Sequence, residues 1–147
     1  MTESLTFVHL EEPAEIYAAF DLMKQLRTHL RDPDAFVAQI KHQHQQGYRL
    51  LAARSGSELL GLSGYRTQSN LLYGSFIYVD DLVVDSSQQR GGIGAQLLQA
   101  TREIARKAGC AFFVLDTGLH MALAQRFYFR QGLLARGMHF SQQLPLP

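Results

Sequence analysis

Residues 75–98, SFIYVDDLVVDSSQQRGGIGAQLL, carry a β-branched strand through a short polar stretch into Gln89-Arg90-Gly91-Gly92-Ile93-Gly94 and then into a helical pattern. The strand, Ser75 to Asp85, is apolar on both faces toward its end, as a central strand covered on two sides must be. On the helix, Ile93, Leu97, Leu98, Thr101, Ile104, Ala105 and Ala108 mark one face, and Gly109 stands at the usual glycine position after a C-terminus. Cys110 to Leu115 then reads as a buried strand. Two strands with a full helix between them imply a parallel pair joined by a right-handed crossover, so the chain is α/β. The glycines let the backbone turn tightly and offer N–H groups to an anion. The helix behind them adds the positive end of its dipole.

The flanking segments fill out a sheet. Ser4 to Leu10 reads as a first strand, and Glu12-Pro13 opens a helix on which Ile16, Ala19, Phe20, Met23, Leu26 and Leu30 recur at helical spacing. Arg31-Asp32-Pro33-Asp34 breaks that helix and caps a second one, carrying Phe36, Val37 and Ile40 and ending near Gly47. Tyr48 to Arg54 and Glu58 to Thr67 form a hairpin around Ser55-Gly56-Ser57, and Asn70 to Gly74 is a further turn. Met121 to Arg130 reads as a short helix stopped by Gly132, with a last strand over Leu133 to Gln143. The expectation is a single domain over 1–147, a mixed sheet of six or seven strands with about four helices.

Composition narrows the partners. Fourteen basic against thirteen acidic residues leave a formal charge of +1, without the broad positive footprint of a nucleic-acid binder, so anion binding must be local. Cys110 stands alone and cannot form an intramolecular disulfide. The opening MTESLTFVHLEEPAE lacks the basic and apolar regions of a signal peptide, and a cytoplasmic location is expected. The apolar runs fall far short of the roughly 18 residues that a membrane helix needs, so no membrane partner is expected.

Which anion the junction holds follows from what it lacks. The dinucleotide fingerprint G-x-G-x-x-G fails, because Gly92-Ile93-Gly94 is followed by Ala95-Gln96-Leu97, and no lysine follows the glycines as a P-loop requires. What remains is [RQ]-x-x-G-x-[GA], beginning five residues after Val84. This segment resembles the acetyl-CoA loop of the GCN5-related N-acetyltransferases (the GNAT family). Ala124-Gln125-Arg126-Phe127-Tyr128-Phe129-Arg130-Gln131-Gly132-Leu133 is similar to that family's A-x-x-[FL]-Y-x-x-x-G-F segment, so the resemblance covers roughly residues 75 to 140. It implies a parallel pair splayed to admit CoA. It also implies that the amides of Gln89, Arg90, Gly91, Gly92, Ile93, Gly94 and Ala95 hold the CoA pyrophosphate, and that the backbone of Leu82, Val83 and Val84 pairs with the pantetheine arm. Two positions depart from the pattern: Met121 stands where many members carry Asn or Arg, and Leu133 replaces a phenylalanine.

The activity implied is acetyl transfer from acetyl-CoA, as co-substrate and without a metal, to a primary amine of a small molecule or peptide by direct attack. An alkylammonium with a pKa of about 10.4 is almost wholly protonated at neutral pH, so something must accept its proton; the oxyanion needs an N–H donor, and the departing thiolate benefits from an acid. The resemblance puts the acid at Tyr128, its hydroxyl on the thioester sulfur, although packing of Phe127, Tyr128 and Phe129 competes for the same ring. The oxyanion donor would be the N–H of Val84, or else Val83, if a bulge leaves an amide without a ladder partner. Asp80 and Asp81 are consecutive carboxylates inside a strand of β-formers, where aspartate is disfavoured. Tyr78-Val79-Asp80-Asp81-Leu82 is similar to the acidic pair of diamine acetyltransferases, which makes Asp80 a base or amine anchor and Asp81 a structural or second anchor. Strand alternation would send the two to opposite faces, and hydrogen bonds to neighbouring loops are the other use for them.

By the same resemblance the acceptor pocket is walled by Tyr17, Phe20, Met23 and the loop Arg31 to Asp34, with His120 beside the Tyr128 helix. Arg126 and Arg130 share a helix face and, with Arg90, could reach the CoA phosphates or form a solvated rim. His42 and His44 point in different directions on a helix and make no metal site, and Cys110 reads as a small core residue. Acetyl-CoA and an amine are the expected partners, and homodimerisation is left open. Two rival readings are a non-catalytic acyl-CoA-binding or regulatory module, and a protein lysine or N-terminal acetyltransferase with an open groove.

Overall fold

The computed structural model describes residues 4–89 and 91–147, so Arg90 lies outside the described residues. The chain forms two compact units, Met1–Leu115 and Asp116–Pro147. In the first, β1 (Thr6–His9) is followed by α1 (Pro13–Ala18), α2 (Phe20–Leu26) and α3 (Pro33–His44). The hairpin strands β2 (Tyr48–Ser55), β3 (Glu58–Asn70) and β4 (Gly74–Val84) come next, then a 3-10 turn (Ser86–Gln88), α4 (Ile93–Lys107) and β5 (Phe112–Leu115). The expected first helix is thus divided in two at Ala19, whose N–H bonds back to Ile16 O at 3.0 Å, and the helices among the described residues number five with the one in the second unit. α3 begins where its sequence says it should: Pro33 opens it, and the Asp32 carboxylate accepts the Asp34 N–H at 3.0 Å.

The sheet is mixed, in the order β1-β2-β3-β4-β5, antiparallel as far as β4 and parallel between β4 and β5. It has five strands among the described residues, not six or seven. The segment 133–143, expected as a last strand, makes no ladder there, and Leu134, Met138 and Phe140 are exposed. Alternating apolar residues stabilise a strand only through a paired neighbour and a covered face. β5 also differs from the buried strand expected, being four residues long with Phe112 exposed.

Each face of the sheet carries its own core. On the side of α1, α2 and α3, Ile16, Met23, Phe36, Ile40, Tyr48, Leu50, Leu62 and Val83 pack together. On the α4 side, Leu51, Ala53, Ile77, Val79, Ile93, Leu97 and Ala105 do so, with Leu82 and Val84 against them. The buried Thr101 hydroxyl is satisfied by Ser63 Oγ and Leu97 O, both at 2.9 Å, so α4 is also hydrogen-bonded to the sheet.

These two lists expose a change of face inside β4. Ile77 and Val79 lie on the α4 side, and so do Leu82 and Val84, which a regular strand of period two cannot achieve. The register shows why: Tyr65 pairs with Val79 and Gly64 with Asp81, so Asp80 is an extra residue, a β-bulge. The bulge therefore sits at Asp80 and not at Val83 or Val84, where the register is regular. It also overturns the expectation that the two aspartates face apart. Both fall on the α2–α3 side.

The second unit contains α5 (Ala122–Arg130). Gln125 Nε2 donates to Gly118 O at 2.9 Å and Leu119 O at 3.0 Å, tying the preceding loop to the helix.

Two partly buried imidazoles make fold stability pH-dependent. His9 Nε2 lies 2.7 Å from the Tyr65 hydroxyl, and burial lowers the His9 pKa from 6.5; burial does the same to His44. Both are held neutral in the fold while the unfolded imidazoles take up protons near 6.5, so this stability is complete above 6.5 and is lost as pH falls toward the lowered native values. Melting temperature should fall between pH 7.5 and 5, and fall less in His9→Gln. A flat profile would contradict this account.

Candidate active site

Two features meet at the C-terminal end of β4. The first is the anion cradle. Asp85 caps the turn after β4, its carboxylate accepting from the Ser87 N–H at 3.1 Å, and α2 braces the same point through Gln25 Oε1, which accepts the Ser86 N–H at 3.0 Å. Gly92 adopts φ 79° as the residue before α4, a left-handed conformation that favours glycine. The first intrahelical bond runs from Gln96 N–H to Gly92 O, so the N–H groups of Ile93, Gly94 and Ala95 have no acceptor within the helix. No side chain caps them and no acid sits in the first turn. A Cβ on Gly92 would meet nothing within 4 Å, leaving open space over the turn. Such a set of donors fits a pyrophosphate.

The strand itself offers a second row of polar groups. Asp85 N–H bonds to Leu60 O at 2.8 Å, and the register then makes Leu62–Val83 and Gly64–Asp81 the pairs that exchange hydrogen bonds with β3. The N–H and C=O groups of Leu82 and Val84 consequently point to the other edge of β4. Among the described residues β5 pairs with β4 only from Phe76 to Val79, so that edge has no ladder beyond Val79. Val84 thus has an outward amide by ordinary alternation, without a bulge of its own. Val83 turns its amide to β3.

The second feature is a cavity of about 560 Å³ on the α2–α3 side. Asp80 and Asp81 both line it, with Arg27, Tyr48, Arg66 and His42. Arg66 grips Asp80 in a two-pronged pair, Nε to Oδ2 at 2.9 Å and Nη2 to Oδ1 at 2.7 Å. Arg27 Nε donates to Asp81 Oδ1 at 2.9 Å, Arg27 Nη2 donates to the Asp80 carbonyl at 2.7 Å, and the Tyr48 hydroxyl donates to Asp81 Oδ2 at 2.8 Å. Burial, then the neighbouring Asp81 carboxylate, pushes the Tyr48 phenol well above 10, so it remains a donor at any working pH. Asp80 raises the already high Arg66 pKa through its hydrogen bonds. Arg27 Nη2 also lies 2.8 Å from Asp81 Oδ1, so that oxygen is doubly engaged, whereas each Asp80 oxygen takes one of these hydrogen bonds and keeps a lone pair, as does Asp81 Oδ2.

Arg27, Tyr48 and Arg66 were absent from the sequence-level candidates. No local pattern marks them. Among the expected pocket residues, Met23 lines the cavity, while Tyr17 is half exposed on α1 and does not. Phe20 packs on Phe36, ring centres 5.7 Å apart, and Arg31 and Asp32 bond within their own loop. His42 is exposed at the cavity lining. In the second unit Tyr128 is half-buried against Phe127 at 5.3 Å, and burial raises its pKa above 10. His120 folds over Gly118 there, and Arg126 and Arg130 are exposed. No cluster of metal-ligating side chains occurs among the described residues, and none of their helices is long and apolar enough to cross a membrane.

Known proteins resemble this chain in sequence and in fold. The family model described as Acetyltransferase (GNAT) family matches residues 12–133. An uncharacterized N-acetyltransferase of Bacillus subtilis is 32% identical over 119 residues, 80% of this chain and 81% of the relative. The aminoalkylphosphonate N-acetyltransferase of Salmonella typhimurium is 31% identical over 136 residues, 91% and 86% of the two chains. The aminoglycoside N-acetyltransferase AAC(6')-Iy in complex with CoA superposes with a TM-score of 0.83 at 15% identity, covering 98% of each chain, and so shares the fold. By sequence and by fold, this chain belongs to the GNAT acetyltransferase family.

Proposed function

We propose that this acyltransferase moves an acetyl group from acetyl-CoA to a primary amine of a small molecule by direct attack. The observation that carries the reading is the end of β4, where an open backbone edge and an anion cradle adjoin a carboxylate-lined cavity. Acetyl-CoA supplies the activated thioester. The amides of Gln89 and of Gly91 to Ala95 would hold its pyrophosphate, with Arg90 the remaining member of that loop, and the edge at Leu82 and Val84 would hold the pantetheine arm, with Val83 behind it. Asp80 would anchor the ammonium and accept its proton, directly or through water, with Asp81 a second anchor fixed by Arg27 and Tyr48. The amine nitrogen then bonds to the carbonyl carbon, the Val84 N–H stabilises the oxyanion, and the C–S bond breaks as the Tyr128 phenol protonates the thiolate. Tyr17 stands outside the cavity and is left out of the acceptor wall. A recess of about 560 Å³ is of the size that a small-molecule acceptor fills.

Calorimetry with acetyl-CoA tests the shared premise, and thiol release over an amine panel tests the reaction. Binding with release by at least one amine is expected, with kcat falling about 10²-fold in Tyr128→Phe. No heat at about millimolar acetyl-CoA would sink the reading. Binding without release from any amine would instead leave a CoA-binding module.

A further inference from the structure

The cavity holds two fixed positive and two fixed negative groups, arranged with depth. The Asp81 and Asp80 side chains are 14% and 23% exposed, the Arg66 and Arg27 side chains 34% and 44%. Carboxylates lie inside, guanidiniums nearer the solvent, and the four charges cancel. Resting on the amine-transfer reading above, we propose that the acceptor is zwitterionic, a small molecule carrying an acidic group beside its primary amine.

A simple ammonium entering this recess would bind beside carboxylates that guanidiniums already neutralise, and would leave the site with an uncompensated positive charge. A zwitterion avoids that cost. Its ammonium takes the inner position at Asp80, its acid meets the outer guanidiniums, and the charge of the recess is unchanged. The donors for the acid exist. The Arg66 contacts to Asp80 use Nε and Nη2, and the Arg27 contacts to Asp80 and Asp81 use the same two nitrogens, so neither set employs the N–H groups of Nη1. A guanidinium is suited to binding a carboxylate or a phosphonate through parallel hydrogen bonds. Depth then orients the ligand, amine inward and acid outward.

The test compares glycine, 3-aminopropanoate and 2-aminoethylphosphonate with ethylamine and propylamine at saturating acetyl-CoA, following thiol release. The best acid-bearing acceptor should exceed the best simple amine by at least about tenfold in kcat/KM, about 1.4 kcal/mol in transition-state binding. The carboxylate and phosphonate arms show which acid fits. Arg66→Gln leaves the charge of Asp80 in place and removes a guanidinium, so KM for the acid-bearing acceptor should rise while propylamine becomes a better substrate. General damage to the fold would lower both. Equal or better use of simple amines by the unaltered protein overturns the zwitterion and spares the transfer reading. No release from any acceptor, with acetyl-CoA bound, overturns both.

Discussion

Asp80→Asn is expected to lower kcat/KM for the acceptor by about 10²- to 10³-fold while leaving acetyl-CoA affinity unchanged, the pattern of a group that acts only on the acceptor side. The substitution nearly preserves shape. It removes the charge that Arg66 holds at 2.7 and 2.9 Å, so the recess becomes net positive and repels an ammonium. How the loss divides identifies the role. An anchor raises the acceptor KM, whereas a proton acceptor depresses kcat and alters its pH dependence. Stability should change far less than activity, because the pair is partly solvated and such pairs contribute about 0–1 kcal/mol. Adding Arg66→Gln restores neutrality, so the double variant should bind the acceptor better than Asp80→Asn alone. Steady-state kinetics on the three proteins decide it, and an unchanged kcat/KM in Asp80→Asn would remove Asp80 from the mechanism.

The bulge that gives Asp80 this position was partly legible. In SFIYVDDLVV the apolar positions that share the α4 face are odd before the acid pair, Ile77 and Val79, and even after it, Leu82 and Val84. That parity change is the sequence trace of one extra residue, but it is blurred because Phe76 and Val83 are apolar too. The cradle, the β2–β3 hairpin and the face of α4 were plain because each is written in consecutive residues at a fixed period. Arg27, Tyr48 and Arg66 were not, since they reach the aspartates across separations of 54, 33 and 14 residues, and only strand register, for Tyr48 and Arg66, and the placing of the end of α2, for Arg27, bring them there. The missing last strand has the same origin. Leu134, Met138 and Phe140 alternate as a strand should, yet pairing is a property of two segments and a sequence window contains one.

Gly64→Ala should damage the fold beside the two cavity residues Tyr48 and Asp81. Gly64 stands in β3 opposite Asp81, and a Cβ built there overlaps the Tyr48 hydroxyl outright and comes within 2.9 Å of Asp81 Oδ2. The obstacle is space, because this glycine is in an ordinary extended strand. Tyr48 is wholly buried and cannot retreat into solvent, nor can its phenol ionise to find another partner. Overpacking costs about 1–3 kcal/mol, and a buried hydroxyl or carboxylate losing its bond adds about 1–3, so the variant should lose roughly 3 kcal/mol or more. For a chain of this size that is a drop in melting temperature of about 10 °C. A double-mutant cycle isolates the cause. In a Tyr48→Leu background the added methyl group meets a shorter side chain, and Gly64→Ala should cost far less than it does alone. Equal costs in the two backgrounds would show that the aromatic ring is not what requires glycine at this position. Activity should follow the same coupling. Once Tyr48 is displaced, Asp81 loses its fixed donor, and Arg27 is left holding a carboxylate that can turn away from the cavity.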